Sequence, residues 1–239
     1  KVLFLTEHRN SKMSLLLILL GFVSVTLARV AVSDQEKLAP KPCCFPKTLQ
    51  VNFFGAEFLE TASPSLVPLI GTYAIKSDEG TAALQVLDGK TRLPLRKEIL
   101  DYNSKILYNI SADGSCVKSP YSEPRPTGCI PATATFDASF EMGIGENSLQ
   151  ANLWNIDTPK LNMQEAISVT GSCIPVQIQR NVKTAVGKTH KALSIVHAEI
   201  EIVDKDLFTI PDTCKSSDQE ATLNIQDLPL PAFMFIGLE

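Results

Sequence analysis

The sequence predicts a mostly β domain built of antiparallel strands. Two observations predict it: short runs in which apolar and polar residues alternate, and glycine-closed turns between them; six cysteines downstream of an apolar leader mark the domain as oxidised and extracellular. Period-two alternation puts successive side chains on opposite faces of a strand, so each run has one dry face and one wet one.

The leader comes first. Met13 is followed by the apolar run Leu15 to Leu27, which has the length of a signal-peptide core and is too short to span a bilayer. Small residues at Ala31 and Ser33 offer a cleavage site, and Lys1 to Lys12, with charges of both signs and no apolar periodicity, read as translated upstream sequence. The expected organisation is therefore 1–33 removed, 34–215 as one folded domain, and 216–239 as a C-terminal tail. A secreted, extracellular protein with no membrane span follows.

Along the domain, strand-like runs occur at Ala82 to Leu87, Lys105 to Ile110, Phe136 to Met142, Leu149 to Asn155, Ala166 to Thr170, Ile174 to Arg180 and Ala192 to Val203. The last is the clearest: Val196, Ala198, Ile200 and Ile202 share one parity, while His197, Glu199 and Glu201 share the other. Asp88-Gly89 and Asp113-Gly114 supply left-handed positions for tight hairpins, and Ser77 to Gly80 closes a longer turn. Pro120, Pro124, Pro126 and Pro131 each remove a ladder donor, so the segment between Cys116 and Phe136 reads as a loop held by Cys129. Beyond Cys214 the chain is first polar and then apolar, Leu228 to Ile236, a stretch suited to covering a pocket mouth or a dimer seam unless it simply frays.

Without residues 1–33 the chain carries 18 basic and 25 acidic side chains, a net charge of −7. That balance repels phosphate backbones and anionic lipid surfaces, so nucleic acid is not an expected partner. Catalytic arrangements are poor. His190 and His197 are the only histidines beyond the leader, no G-x-S-x-G elbow occurs, Gly143-Ile144-Gly145 lacks a third glycine, and no zinc spacing appears. No enzyme activity and no organic cofactor are expected.

Six cysteines allow fifteen pairings, of which twelve remain once the neighbours Cys43 and Cys44 are barred from joining each other. In an extended segment these two side chains point to opposite faces, so each staples a different part of the domain.

The strings Cys43-Cys44-Phe45-Pro46, Asp113-Gly114-Ser115-Cys116, Ile130-Pro131-Ala132-Thr133-Ala134-Thr135-Phe136, Cys173-Ile174-Pro175-Val176 and Phe208 to Lys215 resemble, in order and spacing, the landmarks of the ependymin family. The resemblance implies a secreted glycoprotein, not an enzyme, folded as two stacked, curved antiparallel sheets around a deep apolar pocket. It implies disulfides Cys43 with Cys173 and Cys116 with Cys214, and with these Cys44 with Cys129. It further implies calcium binding, association with extracellular matrix and cell adhesion, and homodimers. An additional bridge seen in some vertebrate relatives cannot form, because Leu95 stands where they have a cysteine and its partner beyond Cys214 is missing.

Two functions are expected from these readings. One is a carrier whose inter-sheet pocket takes a lipid, fatty acid or other hydrophobic small molecule, with Trp154, Val196, Ala198, Ile200 and Ile202 as candidate lining. The other is a structural, calcium-dependent adhesion or matrix protein without a pocket ligand. Asn109-Ile110-Ser111 is a glycosylation sequon. Calcium needs several oxygens, and Asp78, Glu79, Asp137, Glu141, Asp204 and Asp206 are candidate donors, although no EF-hand spacing is present.

Overall fold

A computed structural model describes residues 39–121, 125, 127–159, 162–184, 187–212 and 214–216. The contacts divide the chain after Lys41, and the unit from Pro42 onward carries all of the architecture described below. The expected leader, its cleavage site and the apolar tail lie outside the described residues.

The described strands are β1 (Thr48–Glu60), β2 (Ser65–Lys76), β3 (Thr81–Leu87), β4 (Pro94–Asp101), β5 (Ile106–Ser111), β6 (Cys116–Pro120), β7 (Thr135–Met142), β8 (Leu149–Thr158), β9 (Met163–Thr170), β10 (Pro175–Thr184), β11 (Gly187–Glu199) and β12 (Lys215–Ser216). They form one continuous sheet in the order β12-β6-β5-β4-β3-β2-β1-β11-β10-β9-β8-β7, antiparallel except for the short β12–β6 pair. Two meanders, β1 to β6 and β7 to β11, meet where β1 pairs with β11. The mostly β, antiparallel, curved and disulfide-stapled architecture is as expected, with a single hydrogen-bonded sheet supplying both halves.

Local chemistry sets the turns. Gly114 (φ 80°) and Gly80 (φ 65°) take the left-handed positions their hairpins require. The Asp88-Gly89 loop works differently: Arg92 carries the positive φ of 62°. The Asp88 carboxylate instead accepts the N–H groups of Lys90 and Thr91 at 3.0 and 2.6 Å. Those bonds, led by the Thr91 N–H, hold the Asp88 carboxyl below the usual range.

The main core gathers on one face, here called inner: Leu49, Val51, Phe53, Tyr73, Ile75, Leu84, Leu100, Leu107, Trp154, Ile167, Ile178 and Leu193 are among its buried members. A smaller cluster, Ala74, Ala83, Ile99, Ile110 and Cys116, lies on the outer face. It is covered by Leu207 from the 3₁₀ turn Lys205–Phe208. The Lys97 ammonium donates to the Asp206 and Thr209 carbonyls at 3.1 and 3.0 Å, and the Gln50 side-chain oxygen accepts from the Val203 and Asp204 N–H groups. These bonds pin the chain after β11 over the outer cluster.

On the inner face of the curved sheet, two glycines stand where neighbouring atoms approach closely. A Cβ on Gly55 would sit 1.9 Å from the Ala192 carbonyl oxygen, and one on Gly71 would sit 2.2 Å from that of Gln85 and 2.7 Å from the Phe53 ring. Phe53 is the cross-strand partner of Gly71, so the ring occupies the space a side chain would need. The bend brings Arg96 of β4 and Lys191 of β11 to one cavity, although β3, β2 and β1 lie between their strands. A flat sheet would hold those strands about 19 Å apart.

The strand Ala192 to Val203 needs correction. β11 ends at Glu199, and its register with β1 shifts between Asn52 and Phe53, leaving Val196 as the extra residue of a bulge. Inner-face parity therefore passes from Leu193 and Ile195 to Ala198 without including Val196. Val196 and Ile200 are 61% and 60% exposed and line no interior. Ala198 packs against the main core and Ile202 against the outer cluster.

Candidate functional site

Four strands carry a charged residue where the inner-face pattern calls for an apolar one: Glu57 between Gly55 and Leu59, Glu165 between Met163 and Ile167, Arg180 between Ile178 and Val182, and Lys191 between Thr189 and Leu193. Register places these four directly opposite one another, Glu57 to Lys191, Lys191 to Arg180 and Arg180 to Glu165. The result is a straight ladder across β1, β11, β10 and β9, with the two cations adjacent and a carboxylate at each end. Apolar rows flank it: Leu69, Leu193, Ile178, Ile167 and Trp154 on one side, Val182 and Met163 on the other.

The ladder is largely dry. The Arg180 and Glu165 side chains are 1% and 2% exposed, with Arg180 Nε donating to Glu165 Oε2 at 2.8 Å. Lys191 Nζ lies 2.8 Å from Glu57 Oε2, with side chains 10% and 18% exposed. Burial lowers the Lys191 pKa. Its bond to Glu57 opposes that shift, while Arg180 and Arg96 add to it. On β4, Arg96 Nε lies 3.3 Å from Glu98 Oε1, and Glu98 is itself buried.

A cavity of about 260 Å³ opens at the Glu57 end of this ladder, with Lys191 also in its lining. One wall is apolar, from Val67, Leu69, Val86 and Leu95; the other is charged, from Glu57, Arg96 and Lys191. Larger hollows of about 310 and 450 Å³ share Asp157, Gln164 and Asn181, residues of the outer-face parity. The 450 Å³ hollow also takes in Pro159, Met163 and Val182 beside Lys183, Lys188 and His190. The 260 Å³ cavity is distinguished by four aliphatic residues facing a charged wall, the arrangement suited to an apolar-bodied ligand.

The remaining expected residues are placed as follows. Trp154 is buried beside the ladder, edge-on to Phe136 at 5.6 Å, with Nε1 among the buried polar atoms that have no hydrogen-bond partner. Asn109 is exposed on β5, opposite Glu98. Asp78 pairs with Lys47, Glu79 with Lys76, and Glu141 accepts from the Ser148 hydroxyl. Asp204 accepts from the Asp206 N–H, and Asp137 falls at the irregularity in the β7–β8 register. No group of three or more acidic, histidine or cysteine side chains converges among the described residues. The disulfides are Cys43–Cys173, Cys44–Cys129 and Cys116–Cys214.

A family model described as Ependymin matches residues 91–214, just over half of the chain. The chain belongs to the ependymin family. No curated protein matches it. Among solved structures, the ependymin chain is similar to an uncharacterized conserved protein from Thermus thermophilus, at 10% identity and a TM-score of 0.47, over 73% of this chain and 92% of that one. It is also similar to a LolA superfamily protein from Nitrosomonas europaea, at 9% identity and a TM-score of 0.33, over 70% and 92% of the two chains. No helix among the described residues is long and apolar enough to cross a membrane.

The charge ladder of this ependymin chain was not among the residues singled out from sequence. Its signal was nonetheless present: one charged residue in the middle of an otherwise apolar parity, repeated on four strands.

Proposed function

We propose that this ependymin-family protein is secreted and acts by binding, holding the apolar body of a lipid-like ligand on the inner face of its curved sheet. One observation carries the reading: the bend leaves a cavity of about 260 Å³ walled by Val67, Leu69, Val86 and Leu95, beside a continuous apolar core. Apolar surface withdrawn from water there gains roughly 25 cal/mol per Å². The volume lies just under the roughly 300 Å³ at which small-molecule sites begin, so it takes part of a lipid-like molecule rather than the whole of one. Three disulfides suit an oxidising, extracellular setting, and the exposed Asn109 presents its sequon for glycosylation.

The test is native mass spectrometry of the full chain secreted from eukaryotic cells, followed by titration with an environment-sensitive fatty-acid probe. A bound lipid-sized mass, or saturable probe binding that Leu69→Arg weakens by tenfold or more, is expected. Absence of both in a correctly oxidised protein would overturn the carrier reading.

A further inference from the structure

The opposite, outer face of the sheet carries a polar trough over β8, β9 and β10. Outer-face parity on β10 reads Gln177, Gln179 and Asn181, and on β8 it reads Leu153, Asn155 and Asp157. Between them β9 offers only the short side chains of Ala166 and Ser168, until Gln164 stands in row with Asp157 and Asn181. Short residues thus make a floor and longer ones two walls, which two strand spacings hold about 9 to 10 Å apart. Hollows of about 310 and 110 Å³ occupy this trough and share Ala166 and Gln179. Thr133 and Thr135 add hydroxyls to the larger one, and Phe140 adds a ring to the smaller. We propose that this trough is a second binding site, taking a neutral oligosaccharide whose hydroxyls meet the amides of Asn155, Gln164 and Gln179 while Phe140 takes an apolar ring face. It lies on the other side of the sheet from the apolar-ligand cavity and does not depend on that reading.

The chemistry of the walls selects this ligand class. A face that only meets water is ordinarily rich in Lys, Arg, Glu and Asp, roughly a quarter to a third of a typical surface. Here Asp157 is the single charge of outer-face parity between Leu153 and Asp157, Gln164 and Ser168, and Gln177 and Asn181. Each amide presents a carbonyl acceptor and two N–H donors in one plane. Neighbouring sugar hydroxyls, each both donor and acceptor, present the matching pattern, and a site built to bond hydroxyls rejects ligands that lack them. Asn181 Oδ1 lies 2.8 Å from His190 Nδ1, a contact that uses its oxygen and leaves its N–H groups as donors. Asn155, Gln164 and Gln179 are exposed in the hollow. An anionic ligand would meet the Asp157 carboxylate in one wall. An extended peptide is recognised through its main chain at a free sheet edge, whereas β8, β9 and β10 are each paired on both sides.

The experiment presents the oxidised full chain to an array of neutral glycoprotein-type oligosaccharides, neutral polysaccharide fragments, and sialylated and sulfated glycans. The neutral glycan retained best is then titrated by calorimetry against the native protein, Gln179→Ala and Ala166→Phe. Gln179 is exposed and Ala166 half-buried on the outer face, so both replacements should leave the fold intact, and a thermal melt checks each. Neutral glycans should be retained above charged ones, and the class retained, glycoprotein-type or polysaccharide, identifies the source. Gln179→Ala should weaken binding about fivefold or more, the loss of one or two neutral hydrogen bonds. Ala166→Phe fills the floor shared by the two hollows and should weaken it further. Retention of no neutral glycan, stronger retention of the charged ones, or an affinity that both substitutions leave unchanged would overturn the assignment.

Discussion

Replacing Arg180 by methionine isolates the energetics of the charge ladder. Arg180 and Glu165 are directly opposed on β10 and β9, with side chains 1% and 2% exposed, so removing the guanidinium leaves a carboxylate with no solvent around it. Lys191 cannot take over. It stands two strand spacings from Glu165, about 9 to 10 Å, and is already held by Glu57. Breaking a buried pair from one side costs about 3 to 5 kcal/mol, a large share of the 5 to 15 kcal/mol that stabilises a typical domain. Replacing both partners, Arg180→Met with Glu165→Leu, removes the uncompensated charge and restores an apolar row between Ile178 and Val182 and between Met163 and Ile167. The double variant should therefore lie within about 1 kcal/mol of the native protein, or above it. Urea unfolding with disulfides intact, followed by tryptophan fluorescence from Trp154, gives the four midpoints of the cycle. A single substitution costing less than about 1 kcal/mol, or two costs that simply add, would refute the claim that the pair is buried and mutually dependent.

Two further outcomes follow from the same structure. Gly71→Ala should destabilise by about 1 to 3 kcal/mol or more, because the new Cβ meets the Gln85 carbonyl at 2.2 Å and Phe53 at 2.7 Å. Gly89→Ala, whose nearest neighbour is the Pro68 ring at 3.2 Å, should change the unfolding midpoint far less, and equal effects would count against the bend. Acid should also weaken the fold: Asp88, Asp101 and Asp113 all have pKa values below the ordinary 3.8. For Asp101 burial pushes upward, but the Ser104 and Asn103 bonds outweigh it. Depressed folded values mean that this stability is fully present above the unfolded value and is lost as pH falls through the folded ones. A urea midpoint that stays flat from pH 5 to pH 2 would contradict these turn bonds.

Much of the fold was legible. β3, β5, β7, β8, β9 and β10 coincide within a few residues with runs of alternation. β1 and β2 escaped for physical reasons. β1 buries Leu49, Val51 and Phe53 but also shows Phe54 and Phe58 to the outside, and glycines interrupt the inner parity of both strands. Strand β6 lay hidden within a proline-rich stretch whose first five residues, from Cys116, still pair with β5. The site was harder to see. The clean alternation from Val196 to Ile202 pointed to a pocket wall, yet a bulge took Val196 out of the inner row and Ile200 lies beyond the end of β11 at Glu199; no sequence pattern announces where a bulge will fall. The ladder was readable as misplaced charges, but only register could show that four of them stand in one row.

An open sheet of this length faces a structural problem that the cysteines address. Hydrogen bonds join the two meanders along the β1–β11 seam, and the sheet leaves β7 and β12 at its edges. Curvature alone is poorly enforced by ladder bonds, which tolerate a range of twist. Cys43 and Cys44, just before β1, reach in different directions, one to Cys173 in the turn between β9 and β10 and the other to Cys129 in the segment between β6 and β7. A short stretch next to the seam is thereby bonded to parts of the chain on both sides of it. The Cys43–Cys173 link closes a separation of 130 residues and is worth at most about 5 kcal/mol in the chain-entropy view. Its larger consequence is geometric. Held at that curvature, β4 and β11 present Arg96 and Lys191 to the same cavity; released from it, the two cations and the aliphatic wall would belong to separate stretches of an ordinary sheet face.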